Sequence, residues 1–272
     1  MNYLTFWGVQ GSCPGNFTEN SLGNNTPCLS IQLDKTLLIF DAGTGIRQLS
    51  THLKPEQFDR IILFLTHSHW DHIQGFPFFN FLHQHCTIHV YCPNKTHTNY
   101  LINQINGINF PLNKEDLIAK LIVEDSLDDI MKLLNITINT IKTNHHGDCY
   151  GYRVKSDTID VCYIPDNQLH NPTTSSFEAF KSFCNESNIL IHDAQYTEND
   201  MPNKENWGHS MYKDVVLLAK ESKTKKLIFF HHDPERTKTE INQIVQRFQS
   251  ENTQLEITAA YEQLKIDLLG NL

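Results

Sequence analysis

The sequence predicts a single α/β domain, and three observations predict it. Short β-rich runs recur from one end of the chain to the other, helical patterns lie between them, and no Pro/Gly/Ser-rich linker interrupts the alternation. No internal repeat or low-complexity segment is present. A chain of 272 residues, 39% hydrophobic and 19% charged, has the make-up of an ordinary globular protein and the length to bury a sizeable core.

The elements follow in order. Residues 3–8, 28–34 and 36–41 read as early strands. Residues 60–66, Arg-Ile-Ile-Leu-Phe-Leu-Thr, form a near-continuous apolar run of the kind that marks a strand buried on both faces, and it ends in a histidine cluster. Further strands are expected at 87–91, 136–142, 158–164, 188–192, 226–230 and 255–261. Helices are expected over 45–53, 73–85 with interruptions, 173–184, 211–221 and 235–249. Ser210 is placed to cap the fourth, and Pro234 stands where the last would begin. The stretch 92–140 is the least regular. It carries several Asn and the acids Glu115, Asp116, Glu124, Asp125, Asp128 and Asp129, and it reads as an inserted lid or surface excursion.

Charge and cysteine usage narrow the function classes. Lys and Arg number 22 against 31 Asp and Glu, for a net charge of -9. A duplex or tRNA binder normally presents a basic surface, so a large nucleic-acid footprint is not expected. A small anionic ligand remains compatible, because bound metal can supply local positive charge. No apolar run approaches the ~20 residues of a membrane span. The start, Met1-Asn2-Tyr3-Leu4-Thr5-Phe6, has no basic residue ahead of its apolar stretch and does not read as a signal peptide, so export is not expected. The seven cysteines (Cys13, Cys28, Cys86, Cys92, Cys149, Cys162, Cys184) are odd in number and form no C-x-x-C pair, which suits reduced thiols in a cytoplasmic protein.

Histidine is the unusual entry: there are 15. Thr66-His67-Ser68-His69-Trp70-Asp71-His72 follows the apolar strand directly. Four ligand-type side chains on one short turn are the nitrogen and oxygen donors that Zn²⁺ or Mn²⁺ accepts, and the turn can serve two ions, through His67 and His69 on one side and Asp71 and His72 on the other. Further ligands should also come from strand ends. The candidates are His145 or His146, Asp166, and His231 or His232.

These motifs resemble a known family. His67-Ser68-His69-Trp70-Asp71-His72 matches the H-x-H-x-D-H signature of the metallo-β-lactamase superfamily. The later motifs resemble its ribonuclease Z-like phosphodiesterase branch: Asn24-Asn25-Thr26-Pro27-Cys28, Phe40-Asp41-Ala42-Gly43-Thr44-Gly45, His192-Asp193-Ala194-Gln195-Tyr196, Gly208-His209-Ser210 and Phe230-His231-His232-Asp233-Pro234. The resemblance runs from residue 3 to about 240. It implies an αββα sandwich over residues 1–272 with a dinuclear metal site at one edge. By the family pattern one ion falls on His67, His69 and His145, the other on Asp71, His72 and His231, with Asp166 bridging. His145 is preferred because Asn144-His145 and Gly151-Tyr152-Arg153 keep the family spacing, and His231 because it lies closest to its strand end.

Two divalent ions about 3.5–4 Å apart can hold a bridging hydroxide and clamp a phosphoryl group. His209 is the candidate general acid for the leaving alkoxide, Asp193 a candidate to orient a histidine, and Asp71 completes the candidate catalytic set. Arg153 and Arg236 are candidate phosphate contacts. The aromatics among residues 76–81 fit core packing better than base stacking, and Trp70 is placed to wall the pocket. Lys220, Lys223, Lys225 and Lys226 read as a solvated helix end. The full motif set is most similar to small bacterial and phage phosphodiesterases, some of which hydrolyse 3′,5′-cyclic nucleotides. The resemblance therefore implies a cytoplasmic, homodimeric cyclic-nucleotide phosphodiesterase carrying two Zn²⁺ or Mn²⁺ ions and giving nucleoside 5′-monophosphates. A ribonuclease Z or another small-phosphodiester hydrolase is the alternative, although the acidic 92–140 stretch opposes tRNA. A glyoxalase II-type thioesterase and a Cys-ligand β-lactamase fit less well. A catalytically silent nucleotide sensor is the second class, and a full set of competent ligands argues against it.

Overall fold

Apolar side chains at nearly every position of the 60–66 run leave it no solvent face, and the chain places it inside a sheet between two parallel neighbours. The structure, a computed structural model, describes residues 2–15, 20–169 and 175–269. The chain divides into two compact units, one built mainly of Gly23–Ile130 and the other mainly of Met131–Ala260.

The first unit holds β1 (Asn2–Gly8), β2 (Cys28–Leu33), β3 (Thr36–Phe40), β4 (Arg60–Phe64), β5 (Thr87–Tyr91) and β6 (Lys120–Val123). The second holds β7 (Thr137–Lys142), β8 (Tyr150–Lys155), β9 (Asp160–Ile164), β10 (Ile189–Asp193), β11 (Lys226–Phe230) and β12 (Glu256–Ala259). A last strand, β13 (Lys265–Asp267), pairs antiparallel with β1 in the first unit. The first sheet runs β13-β1-β2-β3-β4-β5-β6 and is parallel from β3 to β6; the second runs β12-β11-β10-β9-β8-β7 and is parallel from β12 to β9.

Helices α1 (Gly45–His52), α2 (Trp70–Ile73), α3 (Lys95–Ile102) and α4 (Leu127–Leu134) precede α5 (Ser175–Phe183), α6 (Met201–Lys204), α7 (Tyr212–Glu221) and α8 (Lys238–Glu251). Each sheet carries a core on one face. In the first unit Leu37, Ile39 and Leu63 meet Ile46 and Leu49 of α1. In the second, Leu190, Leu227 and Phe229 meet Val215 and Leu218 of α7 and Phe248 of α8. No helix among the described residues is long and apolar enough to cross a membrane, and all seven cysteines are free.

Several expected boundaries move for local reasons. No helix covers 73–85. After α2 the chain makes two separate 3₁₀ turns, Phe76–Phe78 and Asn80–His83, because Pro77 has no N–H to continue a helix. Ser210 does not cap α7; Met211 is the N-cap residue, and the Ser210 hydroxyl donates to Asn167 O at 2.5 Å. The last helix starts after Pro234, at the capping box of Thr237 and Glu240. The start expected at 173 lies outside the described residues. The 92–140 stretch contributes α3, β6, α4 and the start of β7, and β6 pairs parallel with β5.

Arg153 serves this fold, not a phosphate. Its guanidinium forks onto Asp160 with two bonds of 2.7 Å and donates to Phe183 O and Asn185 O. Arg153→Ala would leave the Asp160 carboxylate with Lys155 as its cation. The variant is expected to lose about 3 kcal/mol of stability in a urea titration.

Candidate active site

In the first unit, pairing of Phe40 with Phe64 brings the carboxyl ends of parallel β3 and β4 to one sheet edge. Asp41 follows β3 in the left-handed region, at φ 62°, and its N–H donates to Phe64 O at 2.9 Å. Its carboxylate is fully buried and accepts the Thr66 N–H at 2.8 Å, the Thr66 hydroxyl at 2.9 Å and Nδ1–H of His72 at 3.0 Å. A carboxylate only accepts, so the His72 proton is on Nδ1 and its Nε2 keeps a lone pair. The Thr66 hydroxyl, its proton aimed at Asp41, accepts in turn from Nδ1–H of His67 at 3.0 Å. His67 is thereby set in the same tautomer.

The four ligand-type residues sit together in this unit. The rings of His69 and His72 lie 4.4 and 4.3 Å from that of His67, centroid to centroid. Asp71 is buried, accepts the Ser12 N–H at 2.9 Å and lies 3.5 Å from Nε2 of His72. Gly43 is required below them: a Cβ there would stand 2.2 Å from the Asp71 carbonyl oxygen.

In the second unit, the parallel strands β9, β10 and β11 end at one edge, where Asp166, Asp193 and His231 follow or close them. The turn between β7 and β8 brings His145 to the same edge. Asp166 is buried, with Oδ2 3.3 Å from Nε2 of His145 and Oδ1 3.4 Å from Nε2 of His231. His145 donates Nδ1–H to Gly208 O at 2.9 Å, and burial holds its imidazole below the ordinary value. His231 takes φ 55°, and its Nδ1 meets the Gln195 amide at 2.7 Å. One donor atom each from Asp166, His209 and His231 lies within 4.8 Å of the others.

His209 is oriented as well. Its Nδ1–H donates to Asp193 Oδ2 at 3.1 Å, alongside the Ser210 N–H at 3.2 Å. Burial alone would raise the Asp193 carboxyl, but hydrogen bonds from His192 and His209 outweigh it and hold it below the usual carboxylate range. The neighbouring histidines are placed differently. His146 is exposed, with Nε2 toward Asn206 O, and His232 donates Nε2–H to Ala260 O at 2.8 Å, the opposite tautomer to His145.

The residues fit a divalent ion. With the proton of His145 on Nδ1, its Nε2 lone pair faces a carboxylate oxygen, acceptor against acceptor, which is stable only with positive charge between them. The donors are imidazole nitrogen and carboxylate oxygen, the set that suits Zn²⁺ or Mn²⁺. Sequence reasoning missed Thr66 and Gln195, and placed Asp41 only in a turn. The signal was available for Thr66, the last residue of the apolar run. Phe76, Phe79 and Phe81 are fully buried, while Phe78 is exposed, so three of these rings are core. Arg236 is bound to Asp200 at 2.7 Å.

Gly208 adopts φ 87°, and a Cβ there would lie 2.3 Å from Nδ1 of His145. Gly208→Ala is expected to weaken Zn²⁺ binding about tenfold or more, by displacing that ring from its carbonyl acceptor. Competition with a chromophoric chelator measures this, with circular dichroism to show that the fold is kept.

Residues 36–232 match the β-lactamase superfamily domain. A ribonuclease Z of Methanosarcina mazei is 23% identical over 277 residues, spanning 85% of this chain and 87% of that protein. Among solved structures, the Zn²⁺-bound PqqB of Methylobacterium extorquens is similar at a TM-score of 0.72 with 13% identity, over 97% of this chain and 99% of the other. The short form of human tRNase Z is similar at a TM-score of 0.67 with 18% identity, over 98% of this chain and 99% of the other. The strand-end histidines and carboxylates thus stand on a metallo-β-lactamase fold, and the chain belongs to the β-lactamase superfamily, as a metal-dependent hydrolase with ribonucleases Z among its relatives.

Proposed function

We propose that this hydrolase is a phosphodiesterase that opens 3′,5′-cyclic nucleotides to nucleoside 5′-monophosphates. The observation that carries the reading is the buried His209–Asp193 pair beside Asp166 and His231, in a chain of net charge -9. A proton donor next to the ligand cluster suits a leaving alkoxide, and an acidic body suits a substrate with one phosphate better than a polynucleotide. The residues that would hold two ions are His67, His69 and His145 for one and Asp71, His72 and His231 for the other, with Asp166 shared. Zn²⁺ is the ion we assign, with Mn²⁺ the alternative. When bound, such a pair supplies a nucleophile at neutral pH and compensates charge on the phosphoryl oxygens.

The chain's own groups do the rest. Asp41 and Thr66 hold His72 and His67 with Nε2 outward, and Gly208 O does the same for His145. The Gln195 amide nitrogen stands 2.7 Å from Nδ1 of His231; with that amide turned end for end, its oxygen would accept from Nδ1–H and leave Nε2 of His231 free for an ion. Asp193 accepts from Nδ1–H of His209 and stabilises the doubly protonated imidazolium, whose Nε2–H would pass to the 3′-oxygen as it leaves, returning a neutral ring with its proton on Nδ1. The family resemblance further supports a cytoplasmic homodimer.

Chromatography of the products tests the reading directly. Purified protein with Zn²⁺ or Mn²⁺ is expected to convert purine or pyrimidine 3′,5′-cyclic nucleotides to 5′-monophosphates, with His69→Ala as the blank. Cleavage of a precursor tRNA alone would assign the chain to the ribonuclease instead. Turnover of bis-p-nitrophenyl phosphate alone would keep a phosphodiesterase and remove the cyclic nucleotide. His209→Ala is expected to slow cyclic-nucleotide opening about 10²–10⁴-fold. The same variant should slow bis-p-nitrophenyl phosphate far less, because p-nitrophenolate leaves without a proton.

A further inference from the structure

Beside the histidine turn of the first unit lies a cavity of about 520 Å³. Its wall includes Ser68 and Trp70 from the turn itself, Ile73 from α2, Tyr100 from α3, and the amides Asn103 and Gln104 that follow α3. Two features set it apart from ordinary surface. Trp70 is 71% exposed and Tyr100 60% exposed, so two large rings are left facing solvent instead of joining the core that takes Phe76, Phe79 and Phe81. Among the described residues no charged side chain lines the cavity; beyond the rings and Ile73, its polar lining is one hydroxyl and neutral amides.

We infer that this cavity is the nucleobase site, with Trp70 and Tyr100 as its stacking surfaces. The inference rests on the cyclic-nucleotide reading above and names what fixes the base. A phosphate would call for cations in the lining, and the described lining supplies none; Lys114 stands behind it, bound to Asn103. A nucleobase is flat, neutral and edged with donors and acceptors, which rings and amides match. Pocket size agrees, being within the range of small-ligand sites. The amides are held in place: Gln104 donates to Ile73 O at 2.9 Å and Leu101 O at 3.1 Å, and Asn103 Oδ1 accepts from Lys114 at 2.6 Å. Ser68 and Trp70 are the chain neighbours of His67, His69 and Asp71, and the inference places the sugar phosphate of a base held here at those ligand residues.

The test compares a 3′,5′-cyclic nucleotide with the 3′,5′-cyclic phosphate of methyl riboside, which differs only in lacking the base. In Tyr100→Ala, and separately in Trp70→Ala, the ratio of kcat/KM for the nucleotide to that for the base-free diester is expected to fall about tenfold, carried by KM. Tyr100→Phe and Trp70→Phe should restore most of it. An unchanged ratio in both alanine variants would overturn the site. Calorimetric binding of a nucleoside 5′-monophosphate to the metal-loaded wild type and to the Tyr100→Ala protein separates this inference from the reading beneath it. Binding that weakens about tenfold in the variant, in a protein that opens no cyclic nucleotide, would keep the base site and reject the substrate. Equal binding by both proteins would reject the base site even if cyclic nucleotides are opened.

Discussion

The buried Asp41 carboxylate is the constraint on which the first ligand cluster depends. It has no solvent, and it gathers three donors, the Thr66 N–H, the Thr66 hydroxyl and Nδ1–H of His72. Each of those bonds has a structural consequence. The N–H bond ties the end of β4 to the end of β3. The hydroxyl bond turns Thr66 into an acceptor for His67. The imidazole bond selects the His72 tautomer. One carboxylate thus decides which nitrogen two histidines present, and it does so through hydrogen-bond direction alone. The cost is a left-handed backbone at Asp41, of the order of 1–2 kcal/mol for a residue with a side chain. Strain of this kind is kept where surrounding contacts over-determine it.

The second unit repeats the logic with different parts. Asp193 closes β10 and holds His209 by Nδ1, as Asp41 follows β3 and holds His72. A backbone carbonyl, Gly208 O, fixes His145, and a side-chain amide faces His231. His231 also sits in the left-handed region directly after its strand. In both units most of these side chains, Asp41, His67, Asp166, Asp193 and His231 among them, stand at the carboxyl ends of parallel strands, while His145 comes from the antiparallel β7–β8 turn. Parallel pairing is therefore a precondition of the site as well as a feature of the fold.

The parts of this arrangement that are contiguous in the chain were the legible ones. His67, His69, Asp71 and His72 announce themselves within six positions after an unmistakably buried strand. The alternation of strands and helices was equally plain, because β4, β9 and β11 are apolar at every position after the first. Asp41 and Thr66 are 25 residues apart, and only the register of two parallel strands makes them partners. The Ser210 hydroxyl looked like a helix cap because nothing local shows that Asn167 O, 43 residues away, will take its proton. Strands β6 and β13 were unread since short edge strands carry too little periodicity. The 73–85 region misled by composition: its phenylalanines are buried, but Pro77 breaks the backbone on which helical spacing would have counted.

Charge placement ties these features to chemistry. The chain has nine more acids than bases, yet the reaction asks it to stabilise a phosphoryl group that gains negative charge. The two guanidiniums that seemed available are already committed, Arg153 to Asp160 and Arg236 to Asp200. The ligand clusters add carboxylates of their own in Asp71 and Asp166. His72 and His145, set by their Nδ1–H bonds, turn Nε2 toward those carboxylates, and neither arginine adds positive charge to the clusters. Such a site binds cations first and anionic substrate only through them. An arginine clamp would bind phosphate whether or not metal were present, whereas here phosphate recognition and metal loading become one event. The uncharged wall at Trp70 and Tyr100 fits the same division: in the proposed base site recognition adds no charge, and the phosphate would be left to the candidate ligand clusters.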